Sequence, residues 1–259
     1  TVQLHKGFIN DIKFLPDNSG FLSVASDHTV RFTNHVTGQG KILTTLPYDL
    51  KSIDVNADGS MMAGVSTSGH LVLLNLKDNS VRVEDLTTAT NPARILSVAF
   101  HPTKSILAYG AEFLDKNDSK WKGSVKLIDY VTMDSLKELR GHKAGVTDVE
   151  FSPNGELLAS AGLDKKLQMW VVDNVEDLPV VMDFNSSNIW RLAFAHGSDY
   201  LLASCNNGEV RVWPTNPKML AEQICPLLKR NMTKEEWLIY VGNKIEYEST
   251  CKSLLISDF

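Results

Sequence analysis

Three side chains in one short stretch have the types that hydrolases use. In "GHKAGVTDVEFSPNGELLASAGLDKKLQMW", Gly141 to Trp170, His142 could act as a base, Ser160 as a nucleophile and Asp164 as the group that orients the imidazole. Such a trio also needs an exposed hydroxyl and donors for an oxyanion. Ser160 lies inside the apolar run "LLASAG", where a covered strand would hide it, and no GxSxG elbow occurs in the chain. The residues around the trio therefore decide between catalysis and cohesion.

Those surroundings recur along the chain. From Val146 the order is apolar-x-x-apolar-x-Phe, a Ser-Pro-Asn-Gly turn, "ELLASAG", a polar turn and "LQMW". Ungapped copies begin at Ile9 ("INDIKFLPDNSGFLSVASDHTVRFT") and Ile189 ("IWRLAFAHGSDYLLASCNNGEVRVW"). Weaker copies begin at Leu50 and Ile95, the latter interrupted by a polar insertion before "SVKLID". Starts at 9, 50, 95, 146 and 189 give steps close to the ~40–45 residues of a four-stranded propeller blade. Alternation and turn residues mark three strands per copy. "GKILTTL", "VRVEDL", "SLKEL" and "PVVMDF" supply a fourth after four copies. The expected fold is all-β: five recognisable blades of four antiparallel strands over residues 1–213, followed by a helical tail over 214–259.

On these motifs the chain resembles WD-repeat proteins. Copy four carries Gly141-His142 and Trp170 in place, although Val171 stands where Asp is usual. The resemblance implies that His142, Ser160, Asp164 and the indole N–H of Trp170 form a hydrogen-bond chain inside the blade. Buried polar groups must be paired, so such a chain serves as a staple. Copy one keeps His5, Ser23 and Asp27, with Thr33 in place of Trp; copy five keeps Trp213, with Asn185 and Asn207 replacing His and Asp. Copies two and three have Leu74 and Ile128 at the Trp position and lean on apolar packing. The resemblance also puts the residues after each first-strand anchor, Asn10, Lys51, Leu96, Thr147 and Trp190, around the mouth of the central channel, where partners are often held. Trp190 there is either a rigid anchor or a filler of the channel. Because relatives commonly have seven blades, the expectation is that blades precede Thr1; the alternative has "TVQL" closing a ring of five.

Other motifs carry less chemistry. "HVTGQGKI" lacks the first Gly and the final Ser/Thr of a phosphate loop and reads as a hairpin turn. "DKNDSKWKG" opens like a calcium loop, but Lys126 falls where the last ligand should be, so it reads as an extended hairpin. Trp121 within it is either tucked under a neighbouring blade or offered to a partner. Asn117, Asn185 and Asn231 head three sequons, a number chance supplies.

In the tail, Asn216 and Pro217 start one helix that Pro226 ends, and Thr233 with Glu236 forms a capping box for another. Its apolar face asks for a surface, and the propeller is the expected one. "LLKRNMTKEEWLIYVG" through "YESTC" also resembles the tail of bacterial multidomain signalling proteins, in which a WD-repeat sensor follows an NTPase or a caspase-like effector.

A net charge of −5 over 259 residues, without a Lys/Arg block, gives no reason to expect nucleic acid or an anionic membrane. No apolar run approaches the ~20 residues of a transmembrane helix. Cys205, Cys225 and Cys251 show no metal-site spacing and read as reduced thiols, favouring a reducing, cytoplasmic setting without a structural metal or cofactor. The function these features imply is a non-catalytic module that binds a protein or peptide, or domains upstream in a longer parent chain, and regulates an effector. A propeller hydrolase using the channel and a constitutive assembly scaffold are the rivals.

Overall fold

The computed structural model describes residues 4–87, 93–115, 118–174, 178–183, 187–243, 245–249, 251–252 and 254. Each repeat forms one antiparallel sheet. Blade one comprises β1 (Ile9–Phe14), β2 (Phe21–Ala25), β3 (Thr29–Thr33) and β4 (Gly40–Thr45). Blade two comprises β5 (Ser52–Val55), β6 (Met61–Val65), β7 (His70–Asn75) and β8 (Val81–Asp85). Blade three comprises β9 (Ala93–Phe100), β10 (Ile106–Asp115), β11 (Lys120–Asp129) and β12 (Ser135–Arg140). Blade four comprises β13 (Val146–Phe151), β14 (Leu157–Gly162), β15 (Leu167–Val171) and β16 (Val180–Met182). Among the described residues blade five has three strands, β17 (Ile189–Phe194), β18 (Tyr200–Cys205) and β19 (Val210–Pro214). This is the all-β propeller that the repeat spacing predicts. The segment "TVQL", apart from Leu4, lies outside the described residues, as do Asn117 and Asn185.

The blades stack in chain order through their first strands, which line a central channel. The second strands of blades one, two and four are buried on both faces, which is why "LLASAG" and "MMAGV" read as nearly continuous small and apolar runs. Four apolar clusters fill the four sequential interfaces. Leu22 and Val30 meet Ile53 and Met62; Leu71 and Leu73 meet Ile95 and Leu107; Val125 and Leu127 meet Val149 and Leu158; Leu167 and Ala161 meet Ile189 and Leu201. No such cluster joins blade five to blade one among the described residues. Ile9, Ile12 and Phe14 on β1 and Val210 and Val212 on β19 are exposed.

The tail comprises α1 (Pro217–Ile224), a 3-10 turn at Cys225–Leu227 and α2 (Lys234–Tyr240). Asn216 caps α1 by accepting from Lys218 N–H, and the Thr233–Glu236 capping box is formed. The polar switch between strand and helix chemistry at residue 215 is thus local in origin. α1 abuts β19, while Leu220, Ile224, Leu238, Ile239 and Tyr240 stay exposed. The thiol expectation is corrected here: Cys225 and Cys251 form a disulfide, and only Cys205 is free and buried. The pair lies 26 positions apart in sequence, but the tail doubles back around Asn231. The Asn231 side chain accepts from Cys251 N–H at 2.9 Å and donates to the carbonyls of Cys251 and Leu254 at 2.9 and 2.8 Å. Spacing alone conceals that proximity, and the thiol argument for a reducing compartment lapses with it. No helix among the described residues is long and apolar enough to cross a membrane.

Candidate interaction site at the channel mouth

The His-Ser-Asp trio is assembled, and it is sealed. His142 Nδ1 lies 3.0 Å from Asp164 Oδ1, and Nε2 lies 2.8 Å from Ser160 Oγ. With Nδ1–H donated to the carboxylate, Nε2 is left to accept the Ser hydroxyl. The connectivity is that of a hydrolase triad, but Ser160 has 0% exposure and no substrate carbonyl reaches it. Asp164 also accepts from the backbone N–H of Lys143 at 2.8 Å. Burial works against its ionisation, and the bonds from His142, Lys143 and Lys166 prevail, holding its pKa below the usual carboxylate value. Gly162 must be glycine, because a Cβ there would lie 2.6 Å from both His142 Nδ1 and Asp164 Oδ1.

Copy one repeats the arrangement. His5 Nδ1 is 3.1 Å from Asp27 Oδ1, Nε2 is 2.7 Å from Ser23 Oγ, and Lys6 N–H donates to Asp27 at 2.8 Å. Thr29 adds a hydroxyl bond to Asp27 at 2.7 Å. Burial again opposes ionisation, yet the bonds from Thr29, Lys6 and His5 hold Asp27 well below the ordinary range.

The fourth member behaves differently. Trp170 is buried in the cluster between blades three and four, and its indole makes no hydrogen bond to Ser160 among the described residues. In the β14–β15 register Trp170 sits opposite Leu158, while Ser160 faces Gln168. The ring consequently serves packing. Trp213 likewise packs beside the cluster between blades four and five, opposite Leu201.

The five residues expected at the channel mouth share one backbone feature. Each occupies an irregularity in the pairing of the first two strands of its blade. The register skips Asn10, Leu96, Thr147 and Trp190, and Lys51 N–H bonds the Val65 carbonyl although Ser52 is the residue paired with Val65. A bulge re-aims a side chain out of the strand's alternation. What the side chains then do divides them. Asn10 Nδ2 donates to the Leu50 carbonyl of blade two at 2.8 Å, and Thr147 Oγ1 donates to the Ile189 carbonyl of blade five at 2.6 Å. Leu50 and Ile189 are the equivalent anchors of their blades, so the two bonds are the same latch, used twice. Leu96 is half-buried. Lys51 is exposed, and Trp190 is 47% exposed with its indole N–H held by Asn206 Oδ1 at 3.1 Å.

Inside the mouth lies a belt that repeat-matching overlooked. In every sequential interface, a first-strand side chain accepts an N–H from the next blade. Asp11 accepts from Ile53, Asp54 from Phe100, Ser97 from Val149, and Asp148 from Leu192, at 2.7–3.0 Å. The available signal for all but Asp54 was the position two residues beyond each anchor, which reads Asp11, Ser52, Ser97, Asp148, Arg191. Ser52 and Ser97 hydroxyls donate to Asp11 and Asp148. Arg191 reaches Asp148 at 3.5 Å and, across the uncovered side, Asp11 at 3.7 Å.

The channel cavity measures about 210 Å³ and also contains Lys13, Asp54 and Glu150. Lys13 pairs with Asp54 at 3.1 Å, which raises its pKa despite burial. Burial raises Asp148 against the pull of Arg191. Burial also pushes Glu150 up to about 7, opposed by Lys13 and reinforced by Asp148. No group of three or more His, Cys, Asp or Glu arranged to hold a metal occurs among the described residues.

Trp121 lies on the β10–β11 hairpin of blade three, 37% exposed, with the Arg94 guanidinium 4.9 Å from its ring centre. The "HVTGQGKI" segment is a turn in which Asn34 Oδ1 accepts from Val36 and Thr37 N–H.

Comparison with known proteins agrees with this architecture. The family model "WD domain, G-beta repeat" matches residues 1–34, 133–171 and 180–214. Serine-threonine kinase receptor-associated protein of Mus musculus is 29% identical over 166 residues, covering 64% of this chain and 43% of its own. Apoptotic protease-activating factor 1 of Danio rerio is 22% identical over 222 residues, 85% of this chain and 17% of its own. The chain thus spans less than half the length of these curated relatives. Among solved structures, U3-55K superposes with a TM-score of 0.68 at 16% identity, covering 82% of this chain and 62% of that one. The RRP9 WD40 repeats give 0.67 at 16%. The blades, the buried His-Ser-Asp staples and the matched repeats together make this a five-bladed β-propeller that carries WD repeats over residues 1–34, 133–171 and 180–214.

Proposed function

We propose that the propeller is a non-catalytic recognition module whose channel mouth, centred on Trp190 and Lys51, holds a protein or peptide partner and thereby regulates an effector. One observation carries this reading. Of the five bulge residues, Asn10 and Thr147 are consumed by latches to the next blade, while Lys51 and Trp190 stand exposed and unlatched. A rigid, amphipathic aromatic fixed by one hydrogen bond has the makeup of a binding hot spot, and Lys51 on blade two adds an exposed charge. The relatives named above support an interaction role at the level of the fold. The effector reading rests on the tail pattern "LLKRNMTKEEWLIYVG", which resembles signalling proteins that join such a sensor to an NTPase or caspase-like domain. The exposed apolar residues of β1 and β19 suit contact with other domains of a longer chain.

The test is site-specific photocrosslinking in cells from position 190, with position 36 on an outer turn as control. A discrete protein adduct from 190 alone, lost in the Lys51→Ala background, supports the site. Equal adducts from both positions refute it. Labelling of Ser160 by a serine-directed probe in the folded protein would instead favour the hydrolase.

A further inference from the structure

The long hairpin of blade three leaves a stretch of backbone edge bare. β11 starts at Lys120, but the pairing of β12 reaches only as far as Ser124–Arg140. One step beyond, Gly123 N–H still donates to the His142 carbonyl at 3.3 Å. Amide direction alternates along a strand, so Trp121, two residues earlier, presents its N–H and C=O on that same edge. No backbone group meets Trp121 there among the described residues.

Beside this edge runs a groove of about 580 Å³, with Phe113 and the cations Lys120, Lys122, Arg140 and Lys143 in its lining. Its two acids, Asp115 and Asp118, both pair with Lys122, at 2.6 and 3.0 Å. Arg140 is held by Glu138 at 2.7 Å, with its guanidinium 6.0 Å from the Phe113 ring. Lys120 and Lys143 are exposed and make no ion pair among the described residues. A chain of net charge −5 therefore concentrates spare positive charge beside an unpaired strand edge. Lysines on an edge discourage promiscuous strand pairing, and the same charge selects an acidic strand over a basic one.

We propose that this edge and groove bind an extended acidic segment of a protein partner. The segment adds as a strand to β11 through the Trp121 amide and carbonyl, and sets its carboxylates against Lys120 and Lys143. This surface lies on blade three, apart from Trp190 and Lys51, and stands or falls independently of the channel-mouth reading. A nucleic acid would match the charge but offers no amide ladder to the edge.

The experiment is an NMR titration of the whole chain with an octapeptide alternating glutamate and valine, against one alternating lysine and valine. The acidic peptide should slow exchange of the Trp121 amide and bind at least about tenfold more tightly than the basic one. Lys120→Glu with Lys143→Glu should weaken it about tenfold with unchanged thermal melting. Trp121→Pro, which removes the outward N–H, should abolish binding that Trp121→Ala retains. No binding, no protection at Trp121, equal affinity for both peptides, or indifference to the double variant would each overturn the proposal.

Discussion

Thr147 donates its hydroxyl to the carbonyl of Ile189 at 2.6 Å, so a bulge residue of blade four closes on the anchor of blade five. Asn10 makes the equivalent bond to Leu50 between blades one and two. At these two junctions the propeller uses for cohesion the same backbone position that at Lys51 and Trp190 faces solvent. Removing the latch should therefore cost stability where removing an exposed bulge residue does not. Thr147→Val should lower unfolding free energy by about 1–2 kcal/mol, since the Ile189 carbonyl loses a partner in a buried setting. Lys51→Ala and Trp190→Ala should stay within about 0.5 kcal/mol. Urea unfolding midpoints measured side by side distinguish the two classes.

Asp164→Ala should cost about 1–3 kcal/mol, because it orphans His142 Nδ1 and the Lys143 N–H together. The carboxyl is held below its unfolded value of 3.8, so its contribution is complete above that value. It fades as pH falls through the folded-state pKa. The difference between wild type and variant should thus shrink in acid, a trend readable from denaturation curves at pH 7 and pH 3.

Glu150 has the opposite sign. Its folded-state pKa is about 7 against 4.5 unfolded, so the folded protein binds the extra proton between those values. Stability attributable to Glu150 is therefore present below pH 4.5 and is lost as pH rises through 7. Glu150→Gln should match wild type at pH 4 and exceed it by about 3 kcal/mol at pH 8. A gain that is the same at both pH values would contradict the channel electrostatics.

Reducing the Cys225–Cys251 disulfide should loosen the tail and spare the blades. A loop of this length restricts the unfolded segment by about 3 kcal/mol. Hydrogen exchange followed by mass spectrometry should show faster exchange around Asn231 and α2 after reduction. Peptides from β14 and β18 should be unchanged. Loss of protection in the blades would mean that the tail supports the propeller.

Much of this architecture was legible in the chain because it is local. Strand alternation, Asx and glycine turns, the Asn216 cap and the Thr233–Glu236 box are each decided within a few residues, and the strand and turn signals recur in five copies. The pairing of His142 with Ser160 and Asp164 was legible through the WD-repeat resemblance, since the three sit on a loop, a strand and a turn. Three things were decided only by tertiary structure. Whether a bulge residue latches or faces solvent depends on the neighbouring blade, so Thr147 and Trp190 look alike in sequence and differ in the fold. The Asp11, Asp54, Ser97 and Asp148 belt links residues more than 40 positions apart, where no local rule applies. The disulfide exists because the tail returns on itself around a buried asparagine, and chain proximity in space is what covalent chemistry reads. Periodicity determined what each blade is; only packing one blade against the next determined which polar groups remained free to meet a partner.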